Sequence, residues 1–132
     1  MSASTGPRSL RTPLGRVRGL GSAKAGTRHW WLQRVTSLAL LPLMLWFVVA
    51  ALSLVGADYA EVRAFVAAPL HAVLLLLLIG ALFHHMAAGL QVVAEDYIRH
   101  EALRLGTILL IKAACVLLAA IAAFSVLRVA FT

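Results

Sequence analysis

The chain has 132 residues, 62% of them apolar and 13% charged, whereas a soluble domain carries about 25% charged residues. This composition excludes an ordinary soluble globular domain, and the length excludes more than one domain. The formal charge of +7 is a tail and not a groove, since seven of the twelve Lys and Arg residues fall in the first 34 positions, where no acid occurs. No basic element interleaved with aromatic residues follows that tail, which argues against nucleic acid as a partner.

Residues 1–29 hold five of the nine glycines (Gly6, Gly15, Gly19, Gly21, Gly26) and two of the four prolines. Such a segment cannot bury a core and is expected to be flexible. Its Arg-rich, acid-free character also resembles a mitochondrial transit peptide, but it lacks the apolar stretch of roughly 7–15 residues that marks a secretory signal. It is read as a basic arm retained on the cytoplasmic side. Residues 30–132 form the membrane domain, with apolar segments at about 36–55, 69–93 and 107–130. Crossing about 30 Å of hydrocarbon takes roughly 20 residues at 1.5 Å each, and all three segments suffice. They are predicted to be helices, because lipid offers no partner to an unpaired backbone amide. Pro42 lies one or two turns inside the first, and Pro69 fits the first turn of the second, where its missing N–H is harmless.

Orientation follows from Lys and Arg near the helix ends. Seven lie on the amino-terminal side of the first segment, one (Arg63) in the connection 57–68, two (Arg99, Arg104) in the connection 94–106, and Arg128 near the far end. The amino terminus is therefore expected on the cytoplasmic side, or the matrix side in a mitochondrion, and the carboxyl terminus opposite. Trp30 and Trp31 would form an aromatic anchor at the cytoplasmic interface. Asp58, Glu61 and Arg63 read as a solvated connection, and Lys112 as a snorkelling side chain. The lone Cys115 supports neither a disulfide framework nor a thiolate metal site within this chain. The expected fold class is an all-α integral membrane protein: three transmembrane helices, amino terminus cytoplasmic, forming part of a heteromeric helical bundle.

The second segment contains His71, His84 and His85 among hydrocarbon side chains, and an intramembrane ionisable residue is a functional hypothesis by default. His71 lies near the opposite interface and reads as a histidine hydrogen-bonded to a neighbouring helix. At 100° per residue, His85 shares a face with Leu78, Ala81, Leu82, Ala88, Gly89, Val92 and Asp96. Ala81, Ala88 and Gly89 make that face flat. A flat strip beside an imidazole suits a haem, whose macrocycle must lie close to the backbone while a ring nitrogen reaches iron, but small residues equally allow two helices to pack closely. His84 has Gly80, Ala87 and Gln91 on its own face, and the wheel alone does not choose between the two histidines. A six-coordinate iron would need its second ligand from a partner subunit, since neither of the other two apolar segments contains a histidine.

Asp96 is eleven residues beyond His85, nearly in line with it and about 16 Å along the axis. Tyr97 offers a phenolic O–H at the depth of a quinone head group, and Asp96 can hold a cation or relay protons. A tyrosine belt with solvated charges is the plainer alternative. Arg34, on the first helix at the same membrane face, can snorkel to lipid phosphate, bind a haem propionate or polarise a quinone carbonyl.

The pattern His85-Met86-Ala87-Ala88-Gly89 followed by Asp96-Tyr97 resembles the small hydrophobic membrane anchor subunit of succinate dehydrogenase, respiratory complex II. GLQVVAEDYIRH reads very like that family's segment, and HWWLQRVTSLALLPLMLWF is similar to the anchor of the alpha-proteobacterial and mitochondrial type. The layout agrees over about residues 26–132, although the specific motifs occupy only some 30 positions. The resemblance implies that His85 is an axial ligand of the iron of a haem b shared with a cytochrome b subunit, which breaks the tie with His84. It also implies that Tyr97 hydrogen-bonds ubiquinone with Asp96 in a supporting role, and that the partners are the cytochrome b, iron–sulfur and flavoprotein subunits in a bacterial or mitochondrial inner membrane. No nucleophile or general base is required of this chain, because succinate oxidation would belong to the flavoprotein. Two readings compete: a fumarate reductase anchor serving menaquinone, and a non-redox assembly or transporter subunit whose histidines only join helices.

Overall fold

The computed structural model describes residues 12–14 and 24–132, so most of the segment read as the basic arm lies outside the described residues. Four helices follow in order: α1 (Lys24–Ser53), α2 (Tyr59–Ala67), α3 (Pro69–Tyr97) and α4 (Glu101–Phe131). The long helices have 30, 29 and 31 residues, or about 45 Å each at 1.5 Å per residue. They exceed the hydrocarbon thickness, so their ends project into the headgroups or the helices tilt. No strand occurs among the described residues.

The boundaries differ from expectation in three places. Helix α1 begins at Lys24, inside the segment assigned to the arm, and continues unbroken through Pro42. The connection expected at 94–106 shrinks to Ile98, Arg99 and His100, because α3 runs on to Tyr97 and α4 starts at Glu101. Polar side chains ended the apolar windows there, yet nothing in either stretch breaks a helix. The third difference is α2, which occupies the connection between the first two spans. Asp58 and Glu61 form a capping box: the Asp58 carboxylate accepts from Glu61 N–H at 2.8 Å, and the Glu61 carboxylate accepts from Asp58 N–H at 3.1 Å. Asp58, Glu61 and Arg63 are exposed as expected, but Glu61 and Arg63 lie on a helix that Asp58 caps and not in a loop. Gly56, at φ +85°, turns the chain from α1 into this cap, a conformation that costs glycine little. Ala68 ends α2 with extended backbone, and Pro69 opens α3.

Packing is centred on α3, which contacts α1 on one side and α4 on the other, while α1 and α4 do not pack on each other. The buried apolar residues among those described are mostly small: Ala50, Ala72, Ala88, Ala94 and Cys115, with Leu78 the one large member. Small residues at the seams let helix backbones approach, which is how helices associate where lipid removes the hydrophobic drive between them. Large apolar side chains point outward, as with Leu41 at 69% and Leu110 at 71% exposed. An apolar surface of this extent is tolerable only against lipid or another apolar subunit.

His71 fastens the corner at which α1, α2 and α3 meet. Its Nδ1 donates to the Phe65 carbonyl at 2.8 Å, its ring stacks on Phe65 at 3.7 Å between centroids, and Trp46 lies 6.0 Å away. This histidine is a satisfied structural residue, as its position predicts.

Candidate functional site

His85 sits half-buried near the middle of α3, and its Nδ1 lies 3.2 Å from Thr36 Oγ1 on α1. The hydrogen-bond arithmetic around Thr36 favours one tautomer. A hydroxyl has one hydrogen, and Thr36 directs it to its own helix, where the Leu32 carbonyl lies at 2.8 Å and the Gln33 carbonyl at 3.1 Å. Carbonyls only accept, so with that hydrogen so used the Thr36 oxygen is left to accept, which suits an imidazole donating from Nδ1–H. In the neutral ring Nε2 then carries a lone pair. That is the protonation pattern of a ligating histidine, whose second nitrogen donates to an outer partner that sets the ring's orientation.

His84, about 100° around the helix, is exposed and makes no hydrogen bond among the described residues. It opens into a cavity of about 440 Å³ lined also by Gln91, Lys112, Cys115 and small residues of α3 and α4, with Leu32 of α1 at its edge. Lys112 is exposed on that cavity. The two histidines therefore have different surroundings: His85 touches α1, and His84 faces the cleft between α1 and α4.

Ala88 is buried at a helix seam, but Gly89 beside His85 and Gly80 on the His84 face are not explained by packing within the chain. A Cβ built on Gly89 would meet only Gln33 Nε2, at 3.7 Å, an ordinary contact, and one on Gly80 would meet nothing within 4 Å. Helix crossing within this subunit therefore does not require either glycine. Gln33 has a further peculiarity, since its side-chain carbonyl oxygen is buried with no hydrogen-bond partner, a cost that an outside donor would remove.

Asp96 and Tyr97 occupy the last turn of α3, and both are exposed, Tyr97 at 83%. One turn earlier, Gln91 donates to the Glu95 carboxylate at 2.8 Å. Arg34 is exposed on α1, with its guanidinium 5.4 Å from the centroid of the Trp30 ring. It makes no ion pair with Asp96 among the described residues, so the residues expected near one membrane face are not joined by contacts within this chain. Trp30 and Trp31 meet edge to face at 5.5 Å, both half-exposed, as suits an interfacial pair. Sequence reasoning missed Thr36 and Gln33. The available signal was the polar run Gln33-Arg34-Val35-Thr36-Ser37 at the head of an apolar helix.

No group of three or more His, Cys, Asp or Glu residues gathers in a metal-binding arrangement among the described residues, so any ion held here would take most of its ligands from outside. Three membrane-length helices, open on the flanks of the central one, define a multi-pass helical membrane subunit. The chain belongs to the succinate dehydrogenase/fumarate reductase transmembrane subunit family, whose pattern matches residues 8–127. It is 33% identical over 103 residues, 78% of this chain and 82% of the relative, to the succinate dehydrogenase hydrophobic membrane anchor subunit of Rickettsia bellii. It is 29% identical over 86 residues, 65% of this chain and 67% of the relative, to the subunit of the same name from Paracoccus denitrificans. With the succinate dehydrogenase membrane anchor subunit of Reclinomonas americana it shares 28% identity over 92 residues, 67% of this chain and 77% of that one. No solved structure matches it significantly. The three apolar helices and this membership make it a multi-pass anchor of the inner membrane in alpha-proteobacteria or mitochondria.

Proposed function

We propose that this chain, paired with a cytochrome b subunit, anchors the iron–sulfur and flavoprotein subunits of succinate dehydrogenase, contributes His85 as one axial ligand of a shared haem b, and forms one wall of a ubiquinone pocket with its amino terminus on the cytoplasmic side. The observation that carries this reading is the 3.2 Å contact of His85 Nδ1 with Thr36 Oγ1, a hydroxyl with two carbonyls of its own helix to donate to, which suits Nδ1 as the donor and leaves the lone pair to Nε2. One further feature fits a haem: Gly89 leaves the helix surface low beside His85, where a Cβ would meet only Gln33 Nε2 at 3.7 Å. When bound, the haem supplies a one-electron site inside the bilayer. His85 holds it, and Arg34 is the candidate for its propionate or for a quinone carbonyl. At the end of α3, Tyr97 donates its phenolic hydrogen to the quinone, and Asp96 beside it orders the polar path by which protons reach that oxygen. The family description includes fumarate reductases, but the relatives described above carry the succinate dehydrogenase name.

Purification by a tag on this chain tests the assembly. Flavin, iron–sulfur clusters and a b-type difference band are expected in one complex; isolation of the chain without flavin would defeat the anchor reading. Gly89→Ala tests the low surface. The new methyl meets only an ordinary contact within the chain and removes about 0.8–1 kcal/mol of helix cost, so assembly should be unaffected. Against a closely seated macrocycle it would act as overpacking, costing about 1–3 kcal/mol, or roughly 5- to 150-fold in haem affinity. Unchanged haem per flavin would show that the macrocycle does not lie there.

A further inference from the structure

We infer that Thr36 is the positioning residue of the haem site: its hydroxyl, tethered to the α1 backbone, locks the tautomer and orientation of His85 and tunes the electron density that the ring gives to iron. The inference rests on the assignment of His85 as ligand and adds a residue from a different helix, 49 positions away in sequence.

Thr36 Oγ1 is held by two carbonyls of the preceding turn, at 2.8 Å to Leu32 and 3.1 Å to Gln33, so it presents its lone pair in one direction. An O–H already donating is polarised and becomes a better acceptor. The β-branched side chain is confined to few rotamers, and Thr36 is half-buried where α1 meets α3. The chain has another hydroxyl one position on, but Ser37 donates to the Gln33 carbonyl at 2.7 Å and makes no hydrogen bond to His85. Were Thr36 silent, the imidazole could carry its proton on Nε2, which would abolish the ligating lone pair, or rotate about its own axis. An Nδ1–H to oxygen bond opposes both. It also shifts the ring toward imidazolate character, which favours the ferric over the ferrous state.

The test is made on the assembled complex. Thr36→Val and Thr36→Ala remove the acceptor, the first at nearly constant shape, and Thr36→Ser keeps it. Three readouts apply: haem per flavin, the low-spin ferric electron paramagnetic resonance signature, and the midpoint potential of the haem. The two hydroxyl-free variants should lose roughly 10- to 100-fold in haem affinity, the cost of deleting an outer-shell partner. In the haem they retain, the midpoint should rise; a tenfold loss of ferric over ferrous preference reads as about 59 mV for a one-electron couple. Thr36→Ser should restore the wild-type potential and spectrum. The inference is overturned if Thr36→Val and Thr36→Ala match wild type in affinity, potential and resonance signature. It is also overturned if both fail to assemble while Thr36→Ser assembles, since the hydroxyl would then serve folding. His85→Ala separates the two levels: loss of haem in that variant beside unchanged Thr36 variants sinks the inference alone, whereas full haem in His85→Ala sinks the ligand assignment as well.

Discussion

The His85→Ala complex should lose its b-type band in the reduced-minus-oxidised spectrum, and the His84→Ala complex should keep it. The expected contrast is large, because losing a coordinating nitrogen exceeds the roughly 10- to 100-fold penalty of losing an outer-shell partner. Neighbouring positions on a helix point about 100° apart, so His84 cannot take over the vacancy without unwinding α3. Among the described residues His84 also has no hydrogen-bond partner, whereas Nδ1 of His85 lies 3.2 Å from Thr36 Oγ1. His84→Ala removes an exposed side chain at the rim of a cavity, so it should leave assembly intact. Difference spectra normalised to flavin decide the matter. The reverse pattern would transfer the ligand role to His84 and place the haem in the cleft lined by Lys112 and Cys115.

Tyr97→Phe should lower succinate:quinone reduction by about 100-fold, in the range that a positioned proton donor contributes. Succinate oxidation with a soluble artificial acceptor should persist. Only the phenolic oxygen is deleted, and Tyr97 is 83% exposed at the end of α3. Its loss therefore leaves no buried group unpaired in this chain and should alter stability by no more than about 0.5 kcal/mol. The separation of the two activities carries the meaning. Equal loss of both would indicate misassembly, and unchanged quinone reduction would remove Tyr97 from the pocket.

Much of this architecture was legible in one dimension. The spans at 36–55, 69–93 and 107–130 lie within or nearly within α1, α3 and α4, because a bilayer forces every backbone amide to find its partner inside the segment. Apolar content could not mark the helix ends, since hydrogen bonding within a helix continues past the last apolar residue until a cap or a turn stops it; hence α3 reaches Tyr97. Helix α2 escaped notice because nine residues of mixed polarity carry little periodic signal, although the Asp58 to Glu61 spacing is a start signal in its own right. His71 was readable as a structural histidine from its place near an interface. Its acceptor on Phe65 depended on the break at Ala68 and Pro69 that folds α2 back against α3.

Which side chains are chemically interesting was settled by the residues themselves: imidazoles in hydrocarbon and a terminal Asp96-Tyr97 pair stand out wherever the helices lie. The resemblance already favoured His85 over His84; what the tertiary structure adds is a hydroxyl beside its Nδ1. Covalent order says nothing about a hydroxyl 49 residues away, and only the packing of α1 on α3 brings Thr36 to His85. A proton's location on an imidazole is decided by the nearest acceptor. That acceptor lies on another helix.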